Sequence, residues 1–551
     1  MFAFAGLLTG LAFLKPMTPV GALLGWAAAL TLCAVVGFAY RFYFNFFIYG
    51  FVVHITGFYW LPYTIENFGG FSSTAATFLF VLYCAVSSLQ FVICAWLYSR
   101  FKNSLLNRLQ LALPLAWVIA EAVVPRLFPW ALSHTQISWK SFALIGSAVD
   151  VELLSGLLLW WANIFVFMFR SSPGKVRVLF AFVCSLSALY YGAHRVKGLR
   201  DQLLFAPSIG VALVQGNIAM HDKGDVRYLD VNVDRYRQLT TQVMALNPDL
   251  VVWPESVLNY WTPADAVSVK GTRFDPIPAR TTPLLYGALS FRERTATEVE
   301  AKRQRALVGA LPADDESMRY ARYNSGVAID KDGKVLGRYH KRVLMPFGEF
   351  LPFAEYFPVL RKISPHTGDL DAGELDQPIV FPNIKDRNSK TGKNSVNLSI
   401  APLICYEDLV PSLSREGVQN GANLLINLTN DAWYGDTLAP YQHHLLAAWR
   451  AIETERYLIR STNTGLTAIV NPMGDTISQL PTFTSQVLFE FVSPLDTVTP
   501  YVRAGHIPLW CVIGLSLLIW LFGGTYHQEE ENYADFGEKR FGEPKFKSLS
   551  R

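Results

Sequence analysis

From Met1 to about Val196 the chain strings together apolar runs of bilayer length with hardly a charge between them, and no other feature limits its fold as much. Crossing a membrane takes about 20 mainly apolar residues in a helix, because lipid offers an unpaired backbone group no partner. Such runs fall near residues 1–14, 18–38, 46–63, 73–97, 107–124, 149–169 and 176–194, and an eighth, HIPLWCVIGLSLLIWLFG, covers 506–523. The first is short and lies close to the second; read as one bent segment, the two reduce the count to seven. From about Ala206 to Val502 the composition is that of an ordinary soluble α/β protein. The average of 17% charged residues, against roughly 25% in soluble domains, is therefore the mean of two unlike parts. Four units are expected: a transmembrane helical domain over 1–200 with about seven spans, an α/β domain over 205–500, a C-terminal transmembrane helix over 505–523, and a charged tail over 524–551.

Lys and Arg in the short loops predict the orientation. The loops after spans two, four and six carry Arg41; Arg100, Lys102 and Arg108; and Arg170, Lys175 and Arg177. Those after spans one, three and five carry Lys15; none; and Arg126 and Lys140. This bias puts the even loops and both ends of the chain in the cytoplasm, and the α/β domain on the other side of the membrane, in a periplasm-like space. Glu121, Asp150 and Glu152 within the apolar runs are expensive in lipid and predict a water-filled or headgroup-lined cavity. They are too few, and too near span ends, for a transport pathway. A net charge of +4 gives no reason to expect a nucleic-acid partner.

Of six cysteines, Cys33, Cys84, Cys94, Cys184 and Cys511 lie in apolar runs, where cysteine serves as a small hydrophobe. Cys405 alone belongs to the α/β part, in NLSIAPLICYEDLVP, beside Tyr406, Glu407 and Asp408. It has no disulfide partner there, and no Cys/His spacing supports a metal. Acids beside a thiol disfavour the reactive thiolate, so Cys405 is either inert or activated from elsewhere. A free thiol kept in an oxidising compartment favours the second. Strands read at SIGVALVQGNI, PDLVVWPESV, TPLLYGALSF, YNSGVAID, VLGRYHK, VNLSIAPLICYED and ANLLINLTND alternate with helical stretches, which implies layered α/β packing. Glu255, Lys341, Cys405, Asn430 and Asp431 recur at strand C-terminal ends, where α/β proteins collect their chemistry. Glu255 could take the thiol proton, while Lys341 offsets the surrounding negative charge and stabilises an oxyanion. His443 and His444 read as packing or rim residues on a helix. The segment 291–317 reads as an exposed insertion.

VVWPES, RYHKRVLMPFGEFLP, LICYED and NLTNDAWYG resemble the Glu, Lys and Cys motifs of the nitrilase (carbon–nitrogen hydrolase) superfamily. With spans before and after, the whole chain resembles the apolipoprotein N-acyltransferase family. GFYWLPYTIENFGGF, FPWALSHTQ and RSTNTGLTAIVNPMG are similar to it as well. The resemblance implies a nitrilase-like α-β-β-α sandwich carried on a polytopic helical bundle of the bacterial inner membrane. It makes Cys405 the nucleophile, Glu255 the general base and Lys341 the charge stabiliser. Glu349, Tyr406, Glu407 and Trp433 become supporting or substrate-binding residues. It also implies a phospholipid acyl donor, phosphatidylethanolamine, a diacylglyceryl-apolipoprotein acceptor, and no cofactor or metal. Nothing requires more than a monomer. The family's tryptophan shortly after VQGNI is absent from AMHDKGDVRYL, so that loop's substrate contacts are not carried over. A membrane-tethered amidase, with water finishing the reaction, is the alternative; a scaffold without activity would be expected to lack part of the triad.

Overall fold

The computed structural model describes residues 1–38, 41–170, 175–223, 225–277, 280–309, 318–352, 357, 370–374, 377–389 and 394–522. The tail 524–551 lies outside them, as does the end of the insertion; its described part continues a strand to Glu293 and then forms the helix Ala296–Gly309. A helix stands at each expected apolar run: Phe2–Phe13, Pro19–Val35, Phe42–Gly57, Ser73–Phe101, Ala112–Val123, Val151–Arg170, Lys175–Phe205 and Ile507–Phe522. Among the described residues Ser73–Phe101 and Val151–Arg170 are long and apolar enough to cross a membrane. Phe42–Gly57 with Leu61–Asn67, bent by 60°, makes a third if the pair is one span. Phe2–Phe13, Pro19–Val35, Ala112–Val123 and Ile507–Phe522 are shorter apolar helices, below the roughly 20 residues a perpendicular crossing needs.

The intramembrane acids are buried against protein rather than along an open channel. Glu121 Oε1 accepts from Trp117 Nε1 at 2.7 Å and from the Leu132 amide at 3.2 Å. Arg126 lies 3.4 Å from Glu152, and Asp150 pairs with His506 at the head of the last helix. Glu152 and Asp150 are thus met by charged partners, whereas Glu121 Oε2 and Asp150 Oδ2 are buried without a hydrogen-bond partner among the described residues.

The α/β domain is two stacked sheets. β1 (Ile209–Gln215), β2 (Leu250–Val252), β3 (Leu258–Pro263), β4 (Leu284–Glu293), β5 (Tyr320–Ile329) and β6 (Val335–His340) build the first with a late strand that closes its edge. β7 (Ile379–Lys385), β8 (Ser395–Ile404), β9 (Leu424–Thr429), β10 (Leu458–Thr462), β11 (Ala468–Val470) and β12 (Thr476–Gln479) build the second; β13 (Gln486–Val492) is that late strand. The order is β13-β1-β2-β4-β5-β6, with β3 beside β4, and β12-β11-β10-β9-β8-β7. β1, β2 and β4 run parallel, as do β8, β9 and β10. Parallel neighbours need long crossovers, supplied by the helices Leu229–Val243, Pro411–Gln419 and Ala439–Thr454. The central strands β1, β2, β9 and β10 bury both faces and read without alternation, as in IGVALVQ and LLINLT, whereas the edge strands β7 and β12 alternate. Val211, Leu213 and Val252 meet Ile404, Ile426 and Leu428 between the sheets. Val233, Tyr236 and Val243 cover the first sheet outside, completing α-β-β-α layers.

Ala439–Thr454 is buried on every side because it lies between the second sheet and the membrane half. Gln442 on it accepts from Trp60 Nε1 at 2.8 Å and donates to the carbonyls of Gly57 and Phe13. Arg195 pairs with Glu455 across the same junction. The membrane helices therefore form the floor on which the second sheet's strand ends are set.

Candidate active site

β2, β6 and β8 each hand the chain over, at their C-terminal ends, to one of the three residues picked out by the sequence. Glu255 follows β2, Lys341 follows β6 and Cys405 follows β8. Lys341 Nζ lies 4.0 Å from Glu255 Oε1 and 2.6 Å from Glu349 Oε2. Asn324 on β5 donates to both carboxylates, at 2.7 Å to Glu255 and 3.0 Å to Glu349. Glu349 also accepts from the Met345 amide at 2.8 Å. Lys341 is 1% exposed and Glu255 7%, so these charges sit in a low dielectric where each is felt strongly.

Cys405 opens the turn Cys405–Leu409 with φ +51, a left-handed conformation that few non-glycine residues hold. The turn is held by its own neighbours. Asn427 on β9 donates to the Cys405 carbonyl at 3.1 Å. Glu407, with no exposure, accepts from the amides of Ile404, Arg342 and Val343 and from the Tyr339 hydroxyl, at 2.7 to 3.0 Å. It is no ion pair: it ties the Cys405 turn to the segment just after Lys341. Tyr406 turns the other way and donates to the Leu127 carbonyl of the membrane half at 2.8 Å. Trp433 is half-buried on the turn Asp431–Tyr434.

Burial, then the Glu255 carboxylate, push the Cys405 thiol well above its ordinary value, with Lys341 opposing. The resting group is thus the thiol, as the neighbouring acids imply. Burial likewise raises Glu255, against the pull of Lys341. A carboxylate raised in this way is a stronger base than an exposed one and better matched to a thiol proton. For Lys341 burial alone would lower the pKa, but Glu349, Cys405 and Glu255 outweigh it and keep the ammonium charged. Burial pushes Glu407 up to about 7 against its hydrogen-bond donors.

Two contributors escaped the sequence reading. Asn324, which joins both carboxylates, sits in a strand where nothing marks it out. Lys223, in the loop after β1, donates to the Glu255 carbonyl at 2.8 Å, and burial lowers it to about 8. Gly287 on β4 is needed for close approach: a Cβ there would lie 2.4 Å from Pro254 O and 2.6 Å from Glu255 Cα. Gly287→Ala is expected to cost about 1–3 kcal/mol through overpacking and, by displacing Glu255, about 100-fold in rate. Thermal unfolding and single-turnover acylation of the same preparation check the two effects separately.

Residues 210–496 match the carbon-nitrogen hydrolase family, and residues 5–157 match the apolipoprotein N-acyltransferase N-terminal domain. The apolipoprotein N-acyltransferase of Geobacter metallireducens is 28% identical over 94% of this chain and 94% of its own length. The solved structure of Saccharomyces cerevisiae Nit3, of the nitrilase superfamily, is 18% identical, with a TM-score of 0.35 over 55% of this chain and 94% of its own. The apolipoprotein N-acyltransferase of Vibrio vulnificus is 30% identical over 94% of this chain and 96% of its own length. With both halves matched and the likeness running from end to end, this chain belongs to the apolipoprotein N-acyltransferase family of the carbon–nitrogen hydrolase superfamily.

Proposed function

We propose that the chain moves an acyl group from a phospholipid, phosphatidylethanolamine, through a Cys405 thioester to the α-amine of an S-diacylglyceryl-cysteine at the N-terminus of an apolipoprotein. Glu255 takes the Cys405 proton as sulfur attacks the ester carbonyl. Lys341 faces the oxyanion that forms. Collapse breaks the ester C–O bond, and the lysophospholipid oxygen leaves with the proton held by Glu255. The acceptor amine then attacks the thioester, giving one proton to Glu255; the C–S bond breaks and the thiolate is reprotonated. Glu349, Asn324 and Glu407 hold these groups in place.

The observation that carries the lipid reading is a narrow apolar cleft beside the cysteine turn, between the two halves of the protein. Phe13, Phe58, Trp60, Phe128 and Trp130 line it from the membrane half, and Leu409 and Tyr434 from the catalytic half. Tyr434 packs on Trp60 with ring centres 5.2 Å apart. Drawing an acyl chain of about 16 carbons into water would cost on the order of 12 kcal/mol, so an apolar cleft between the membrane and catalytic halves suits this substrate and is superfluous for a soluble amide. The eight apolar helices are read as eight spans in the bacterial inner membrane, with the catalytic domain facing the periplasm. The loop bias in Lys and Arg supports that orientation.

Intact mass after incubation with phosphatidylethanolamine tests the reading. A hydroxylamine-labile gain of one acyl chain is expected on the wild type and not on Cys405→Ala, followed by transfer to a diacylated lipopeptide. Rapid loss of the chain to water without acceptor would favour the amidase alternative instead.

A further inference from the structure

Behind the Cys405 turn lies a buried group of four charges that the mechanism above does not use. His443 Nε2 is 2.7 Å from Asp408 Oδ1, and His443 Nδ1 is 3.0 Å from Asp431 Oδ1. Arg460 Nε reaches Asp408 Oδ2 at 3.2 Å, and its Nη2 lies 3.8 Å from Asp431 Oδ2. None of the four side chains is more than 5% exposed. An ionised carboxylate only accepts, and a neutral imidazole donates from one nitrogen. With a carboxylate at each ring nitrogen, the ring must carry both protons. Two carboxylates, one imidazolium and one guanidinium then sum to zero, the condition for burying such a group.

The placement of these residues gives the group a direction. Asp408 is on the Cys405 turn, Asp431 on the turn after β9, and Arg460 on β10. His443 comes from the helix Ala439–Thr454, next to Gln442, which is bonded to the membrane half, and it also lines the apolar cleft. The other titratable groups facing it are His444 on its own helix and the Tyr434 ring at 6.3 Å. We infer that His443 is a positioning residue: as an imidazolium at neutral pH it clamps the nucleophile's turn to the helix that lines the acyl cleft, so that Cys405 is held in its left-handed conformation. This rests on Cys405 being the nucleophile of the proposed reaction.

Burial alone would lower His443, but Asp408 and Asp431 outweigh it and push it up to about 9, with Arg460 opposing. A histidine raised above its unfolded value of about 6.5 contributes stability fully present below that pH. The contribution fades as pH rises and is lost once pH passes about 9. The clamp should therefore loosen on the alkaline side.

The test measures two rates at Cys405 from pH 6.5 to 10 in the full-length protein in phosphatidylethanolamine vesicles. These are single-turnover acylation by intact mass and alkylation by iodoacetamide located by peptide mass. Wild type, His443→Gln, Asp431→Asn and His443→Gln/Asp431→Asn are compared, with thermal unfolding of each. Expected are a fall in the wild-type acylation rate above about pH 9, against an alkylation rate that rises with pH as thiolate forms, and a loss of at least tenfold in acylation by His443→Gln at pH 7.5. The double variant, neutral again, should recover severalfold and lack the alkaline fall. A role in shape alone would not be rescued by a second neutralisation. Should His443→Gln fail to fold, Asp431→Asn still decides, because losing one carboxylate must move the alkaline fall to lower pH. Unchanged rates in His443→Gln, an additive loss in the double variant, or an alkaline fall that persists there and so belongs to another group such as Lys223, overturn the clamp. Absence of an acyl adduct on the wild type refutes the thioester reading instead, and alkylation then judges the clamp by itself.

Discussion

Glu255→Gln is expected to slow acylation of Cys405 by about 10²- to 10⁴-fold, the range for losing a general base, and Cys405→Ala to abolish it. The size follows from the resting state of the thiol. Burial and the nearby carboxylates of Glu255, Asp431 and Glu349 hold Cys405 protonated, so thiolate forms only if a neighbour removes the proton as sulfur attacks. Glutamine keeps the volume and the carbonyl oxygen that accepts from Asn324, so the fold should survive while the base is lost. Single-turnover intact mass at several pH values measures the effect. A loss below about tenfold would remove Glu255 from the role of base and leave Glu349 as the candidate.

Lys341→Met is expected to damage stability and rate together. Without the ammonium, Glu255 and Glu349 remain buried and joined through Asn324, and among the described residues no other cation forms a salt bridge with either. Breaking a buried pair from one side costs about 3–5 kcal/mol, unless one carboxyl takes up a proton. Loss of oxyanion stabilisation adds about 10²- to 10³-fold in rate. The double variant Lys341→Met/Glu349→Gln separates the two effects. It removes a second charge from the cluster, so unfolding temperature should recover while acylation does not. Recovery of both would reduce Lys341 to a counter-ion for Glu349; recovery of neither would mean that the ammonium is needed for packing around Asn324.

Much of the architecture was legible in the chain because it is written in local patterns. Runs of bilayer length announced eight helices, and apolar strands separated by helical stretches announced layered α/β packing, while the two-sheet sandwich was implied by the family resemblance. Glu255, Lys341 and Cys405 were visible because each stands next to a strand end, and their motifs carried the family likeness. Other readings stopped where the partner is distant in sequence. Glu407 reads as a supporting residue beside the nucleophile, but what it holds is set elsewhere: it accepts three backbone amides and a hydroxyl from two segments. Glu121, Asp150 and Glu152 seemed to call for water and found protein donors instead. Tyr406, beside the nucleophile, is a strut to Leu127 of the membrane half.

Composition and order alone determined that apolar helices flank an α/β domain holding one candidate thiol, since burial of apolar runs and backbone pairing within strands depend on residues close together in the chain. Only the tertiary structure decided that Asn324 joins two carboxylates, that Gly287 leaves room for Glu255, and that His443 stands between Asp408 and Asp431. Those outcomes depend on which charges and surfaces meet across 69, 32 and 35 positions of sequence respectively, as between Asn324 and Glu255, Gly287 and Glu255, and His443 and Asp408. At that range electrostatics and steric fit are properties of the packed molecule, and no local pattern encodes them.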